Sequence, residues 1–264
     1  MANAEKAHME KELVNKPLVE AIQEVKWHLD ATPHGTHTDP HYRLLLARLS
    51  DRVTDDYPEH EELPAASVPD ELAANVVQHR FRVGAGLWPL IQVGPGIFTV
   101  NSTADYSWSS FRPRVTTAVK TLYDAHPKVG ELQITSLVLR YIDAVNFDFE
   151  KKSAFDFLKK LKLHVSLPDS LFSDTGVASK ASNLALHWSF ACIRPKGFLS
   201  LRFARGQNAK GPALVWETIV ESAADDLPRM PESFEIWLDD AHNLTHDWFF
   251  KLIEGDLERR FSSG

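Results

Sequence analysis

One cysteine in 264 residues, Cys192, leaves no partner for an intramolecular disulfide and excludes any zinc cage built from cysteine pairs. Its place in the apolar run WSFACI predicts a buried, inert thiol. Long apolar runs are missing as well: nothing approaches the roughly 18 consecutive apolar residues that a membrane-spanning helix needs. The opening MANAEKAHMEKELVNK is too charged for a secretory leader. The expectation is a soluble cytoplasmic protein that does not engage a membrane. Basic charge is in short supply, with 29 Lys and Arg against 36 Asp and Glu and a formal net charge of −7. That balance argues against holding nucleic acid by bulk electrostatics. Local basic sets occur at HRFR (79 to 82), between Lys151 and Lys162, and at Arg194, Lys196, Arg202, Arg205 and Lys210. A solvated strand or helix face produces such sets routinely, so nucleic acid is a disfavoured partner.

Several nucleotide and nucleophile signatures are absent. The glycines of VGAGLW and VGPGIF form neither GxGxxG ahead of a helix nor a GxxxxGK[ST] loop, and read as hairpin glycines. There is no GxSxG elbow. No cofactor is expected.

What is present is ordinary globular composition, 44% hydrophobic and 25% charged, with 7 Trp and 15 Phe. Residues 17 to 29 mix β-branched, aromatic and alternating polar residues and predict a first strand. Thr38 suits the N-cap of a following helix that ends before Pro58, and the acidic, proline-rich DDYPEHEELPAASVPDE predicts a surface connection. Strands are expected at about 75 to 84 and 87 to 100. A helix then carries Trp108, Phe111, Val115, Ala118, Val119 and Leu122 on one stripe, with Ser110 as its cap and Pro113 in the first turn. VLRYIDAV (138 to 145) predicts a strand and SAFDFLKKLKL a short amphipathic helix. Three strands follow in LALHWSFACI, GFLSLRFA and ALVWETIVES. A helix from about 234 to 261 closes the chain, capped by Ser233, with Arg259 and Arg260 suiting its negative end.

These elements predict an α+β fold of two pseudo-equivalent halves, residues 1–128 and 129–264, forming one compact unit. Each half is expected to have antiparallel strands with helices packed on one face. If the two sheets join edge to edge, they form one continuous sheet with a groove between the terminal helices.

The combination of NKPLVEAIQEVKW, LIQVGPGIFTVN followed by YSWSSF, the central LRYIDAV and AHNLTHDWFFKLI resembles a sporadically distributed prokaryotic family of uncharacterised proteins of about this length. The resemblance covers nearly the whole chain. It implies a cytoplasmic bacterial protein of patchy occurrence, as expected of genes carried with mobile elements, defence loci or toxin and antitoxin pairs. It implies no activity for any residue. The chain departs from the family pattern at Asp143, where that pattern has Asn, which bears on any role that needs a neutral amide.

Within VLRYIDAV, strand alternation puts Arg140 on one face and Asp143 on the other, so they cannot pair with each other. Each needs a partner elsewhere if buried. Glu20, Glu24 and Glu217 are the carboxylates expected for Arg140, in an ion pair that fixes how the halves meet. Both Arg140 and Asp143 are candidate binding residues at the seam, with Glu217 and the tryptophans Trp27, Trp108 and Trp237. His242 and His246, four residues apart, share a helix face and are the candidate metal ligands of an alternative reading. The intervening residues lack the glutamate of HExxH. A second set, His28, His34, His37 and His41 with Asp30 and Asp39, is a conceivable metal set, but its glycine and threonines read as a flexible loop entering a helix, which favours adventitious binding of a divalent ion over a built site.

The leading expectation is a non-enzymatic binding or interaction protein, an accessory, immunity or antitoxin-like component whose partner is another protein. The alternatives are a metal-assisted hydrolase or nuclease using His242, His246 and carboxylates such as Glu217, and a small-molecule sensor using the aromatic seam.

Overall fold

The computed structural model describes residues 13–103 and 105–263. The strands are β1 (Leu18–Trp27), the two-residue β2 (Asp30–Ala31) and β3 (His37–Thr38), β4 (Glu59–Glu62), β5 (His79–Arg82), β6 (Leu90–Gly94), β7 (Ile97–Ser102), β8 (Ile134–Asn146), β9 (Ala185–Ile193), β10 (Lys196–Asn208) and β11 (Gly211–Ala223). The helices are α1 (Tyr42–Val53), α2 (Trp108–Ala125), α3 (Ala154–Lys160), α4 (Phe234–Ile253) and α5 (Asp256–Ser262).

Nine of the strands form one antiparallel sheet in the order β4-β5-β6-β7-β1-β8-β11-β10-β9, so the α+β class and the continuous sheet hold. Strand alternation decides which side is covered. On β11, Leu214, Trp216, Thr218, Val220 and Ser222 are all buried, while Glu217 and Glu221 project to the other side. The helices lie over the buried side. Phe157 of α3 meets Trp216, Trp237 of α4 donates to the Ser222 hydroxyl at 2.8 Å, and Trp108 of α2 stacks on His242 of α4. One hydrophobic cluster runs through residues from both ends of the chain, including Phe98, Phe111, Leu139, Trp216, Leu238 and Leu257. Each such side chain, fully buried, contributes about 1.5–3 kcal/mol relative to exposure.

Several elements differ from expectation for identifiable reasons. The predicted strand over 87 to 100 is two strands, because Pro95 and Gly96 turn the chain between the paired Gly94 and Ile97. Gly96 has φ +75°, and a Cβ at Gly94 would stand 1.9 Å from the Val76 carbonyl oxygen. Helix α1 starts at Tyr42, four residues beyond Thr38, which instead pairs with Asp30 between β2 and β3. The acidic connection contains β4, an edge strand in which Glu61 accepts from Arg82 at 2.7 Å. Helix α2 is capped by Ser107, not Ser110: its hydroxyl accepts from the Ser110 N–H at 3.3 Å. Pro113 therefore lies inside the helix, and the Ser109 carbonyl loses its intrahelical donor. The last helix breaks at Gly255, whose φ of +100° ends α4 and starts α5. Ser233 holds the N-cap position of α4 without a side-chain capping bond. Cys192 is half-buried on the edge strand β9 rather than sealed in the core, although burial still raises its thiol pKa. No helix among the described residues is long and apolar enough to cross a membrane.

Candidate functional site

The two charged residues of VLRYIDAV meet different fates. Strand pairing places Arg140 on the helix-free side, directly opposite Ile22 of β1 and Ile219 of β11. Glu20, Glu24 and Glu217 are then diagonal neighbours, a separation that long side chains can span. Each is engaged elsewhere: Glu20 accepts from Asn101 at 2.7 Å, Glu24 pairs with Lys26 at 2.8 Å, and Glu217 lies 3.8 Å from Arg202. The expected Arg140 ion pair therefore does not form among the described residues, and the buried Arg140 Nε has no hydrogen-bond partner there.

Asp143 projects to the helix side, where Leu18 and Trp216 are its neighbours across the sheet. It is 2% exposed. Its carboxyl opens onto a cavity of about 100 Å³ bordered by the segment entering β1, the start of α2, strands β8 and β11, and the second half of α4, and open on one side. Burial alone pushes its pKa up from 3.8 to about 8, so at neutral pH the group is mostly protonated. Among the described residues it makes no hydrogen bond or ion pair. Beside it on β11, the buried Thr218 hydroxyl likewise lacks a partner among the described residues.

A relay of aromatic and imidazole groups forms one wall. The hydroxyls of Tyr106 and Tyr141 are 2.8 Å apart, and that of Tyr141 is 2.9 Å from His242 Nδ1. Trp108 lies flat on the His242 ring, with centroids 3.7 Å apart and planes within 6°. Burial, with neighbouring His246 as the second cause, depresses the His242 pKa from 6.5 to about 3, while Asp239 acts weakly in the opposite sense. A neutral imidazole can accept from Tyr141 at Nδ1 while Nε2 carries the proton. At the rim, Lys16 Nζ donates to the Tyr106 carbonyl at 2.8 Å. The α2 and α4 helices are tied beside the cavity by Arg112, which donates to Asp239 from Nε at 2.6 Å and Nη2 at 2.8 Å, and to Glu235 at 3.2 Å.

The site thus brings together Asp143, His242 and His246, with Trp108 packed behind His242. It leaves out Arg140 and Glu217, which lie on the opposite side of the sheet. Trp27 and Trp237 are core residues, 3% exposed each, whose indole N–H groups donate to Asp39 at 2.9 Å and Ser222. The metal-hydrolase constellation of His242, His246 and Glu217 is accordingly separated by the sheet. Among the described residues no group of three or more His, Cys, Asp and Glu is arranged to hold a metal ion. In the loop set, His28, His34 and His37 are exposed, and His41 turns to Glu131 at 2.8 Å. Tyr106, Tyr141, Thr218 and Lys16 escaped the sequence reading; only the position of Tyr141 and Asp143 on one strand face signalled part of the group.

A scan against protein-family models finds none that matches the chain, and no curated protein matches it.

Proposed function

We propose that this chain is a binding protein whose recognition element is the cavity around Asp143, and that it takes up a small amphipathic molecule there without chemically transforming it. The observation that carries this reading is a buried carboxyl aimed into an open, mainly apolar space without a partner among the described residues. Leaving such a group unsatisfied costs about 1–3 kcal/mol, a cost that a ligand donor removes. Concave, apolar pockets with a few convergent polar groups are the usual form of small-molecule sites. Titration with small amphipathic fragments, followed by amide NMR shifts, tests it. The expected shifts centre on β8, β11 and the second half of α4, and Thr218→Leu, which fills the cavity, suppresses them. Shifts scattered over the surface, or unaffected by that substitution, contradict the reading.

A second reading, docking to another protein, draws on β9. This edge strand leaves backbone groups unpaired, and Phe190 and Ile193 on it, with Phe198 of β10, are 44%, 93% and 52% exposed. The immunity or antitoxin-like role implied by the resemblance would act through that edge. Phe190→Lys abolishing capture of a stoichiometric protein partner would favour it.

We also infer that residues 1–128 and 129–264 are pseudo-equivalent. The support is the sheet order: β1 and β8 lie together in the middle, flanked by β7 and β11, then β6 and β10, then β5 and β9. Each set is followed by a long helix, α2 or α4.

A further inference from the structure

We propose that the ligand of this cavity is a short primary amine bound as its ammonium ion, with the nitrogen on the Asp143 carboxyl and the carbon body among the surrounding rings. The proposal rests on the reading of the cavity as a binding site and names the chemistry that enters it.

The geometry favours a cation over the alternatives. The free carboxyl is mostly protonated at pH 7, and an ammonium stabilises its ionised form, which only accepts hydrogen bonds and is best satisfied by a group that brings both donors and positive charge. An ammonium has three N–H groups, enough to serve Asp143 and the Thr218 hydroxyl on the adjacent strand together. Tyr106, Tyr141, Phe249 and Phe250 also line the cavity, and cations are attracted to aromatic faces. The charged and titratable groups facing Asp143 leave room for the incoming charge. His242 from α4 is held neutral by its burial, so it adds no repulsion. His246 lies one helical turn further along, its ring centroid 5.6 Å from that of His242. Lys16, from the segment entering β1, is the one ammonium at the site among the described residues, and it is held at the rim by the Tyr106 carbonyl rather than on Asp143. An anionic ligand would hold the Asp143 carboxyl in its protonated form and, with no guanidinium lining the cavity among the described residues, would find no fixed cation beside it other than Lys16 at the rim. Cavity size sets how much of the ligand is covered: about 100 Å³, against the roughly 150 Å³ of an engineered cavity that holds benzene, points to about four carbons seated inside, with any longer chain leaving by the open side.

The test compares n-butylammonium, n-butanol and butyrate at pH 7 by amide NMR titration of the full chain, in the wild type, Asp143→Asn and Glu71→Gln, the last removing an exposed carboxylate outside the cavity. The expected result is wild-type binding of n-butylammonium at least tenfold tighter than of either other probe. Asp143→Asn should lose that preference, and Glu71→Gln should keep it. Equal affinity for n-butanol and n-butylammonium, or preference for butyrate, overturns the amine assignment while leaving a small-molecule cavity in place. Loss of the ammonium preference in Glu71→Gln also overturns it, since the preference would then follow the overall charge of the chain rather than Asp143. No response to any probe overturns the amine assignment and the cavity reading together. Should Asp143→Asn fail to fold, the wild-type ratio between probes decides alone.

Discussion

Replacing Asp143 by Asn should make the protein more stable, and increasingly so as the pH rises. The carboxyl is 2% exposed and its pKa stands near 8 in the fold against 3.8 for the unperturbed group. Between those two values the folded chain holds a proton that the unfolded chain releases, so stability falls as pH rises through the window and levels off above about 8. Each pKa unit is worth about 1.4 kcal/mol, which gives about 4 kcal/mol by pH 7 and about 6 kcal/mol well above pH 8. Asparagine has the same shape and no proton to release. Below pH 4 the two proteins should therefore melt within a few degrees of each other. For a chain of this size 1 kcal/mol moves the melting temperature by about 2–4 °C, so at pH 7 the variant should melt about 10 °C higher. Thermal melts of both proteins from pH 4 to 9, read as the difference at each pH, cancel the contribution of groups that titrate alike in both. A difference that is constant with pH, or a variant that loses ground above pH 6, refutes the reasoning.

Three further outcomes follow from the same geometry. His242 has its pKa depressed to about 3, so the unfolded chain binds a proton first and stability should be lost as pH falls from 6.5 towards 3; His242→Phe, keeping a ring on Trp108, should melt below wild type at pH 7, having lost the Tyr141 hydrogen bond, and above it at pH 4.5. Trp27→Phe leaves the buried Asp39 carboxylate without its indole donor and should cost about 1.5–3 kcal/mol in urea unfolding, with an unchanged denaturant slope. Arg112→Met removes the fork onto Asp239 and the contact with Glu235; because the arginine side chain is 34% exposed, the cost should be only about 1 kcal/mol and should shrink in 1 M salt.

How much of this was legible beforehand differs from element to element. Strands β9 to β11 and helix α4 carry strong periodicity, and their existence and order follow from it. Strand β4 does not, because EHEE at a sheet edge has no apolar alternation to announce it; its pairing with β5 comes from tertiary contact. The placement of Arg140 and Asp143 on opposite faces needs only the two-residue period of a strand. The partner expected for Arg140 failed for a reason of register: Ile22 and Ile219 sit directly opposite, and the candidate glutamates each found a nearer donor or cation. The cavity itself was hidden. It joins Lys16, Tyr106, Tyr141, Thr218 and His242, residues spread over most of the chain, and no local pattern ties them together. Pairing His242 with His246 by helical spacing was sound geometry, but the ring His242 stacks on, Trp108, comes from α2 and is fixed only when α2 and α4 meet.

Whether Asp143 is a buried acid that takes up a cationic partner is read from the pH titration of its carboxyl carbon by 13C NMR, with and without saturating n-butylammonium. The midpoint should lie near pH 8 in the free protein and move well down towards the ordinary carboxylate range when the amine is bound. A midpoint already in the ordinary range in the free protein, or one that the amine leaves unmoved, would contradict it.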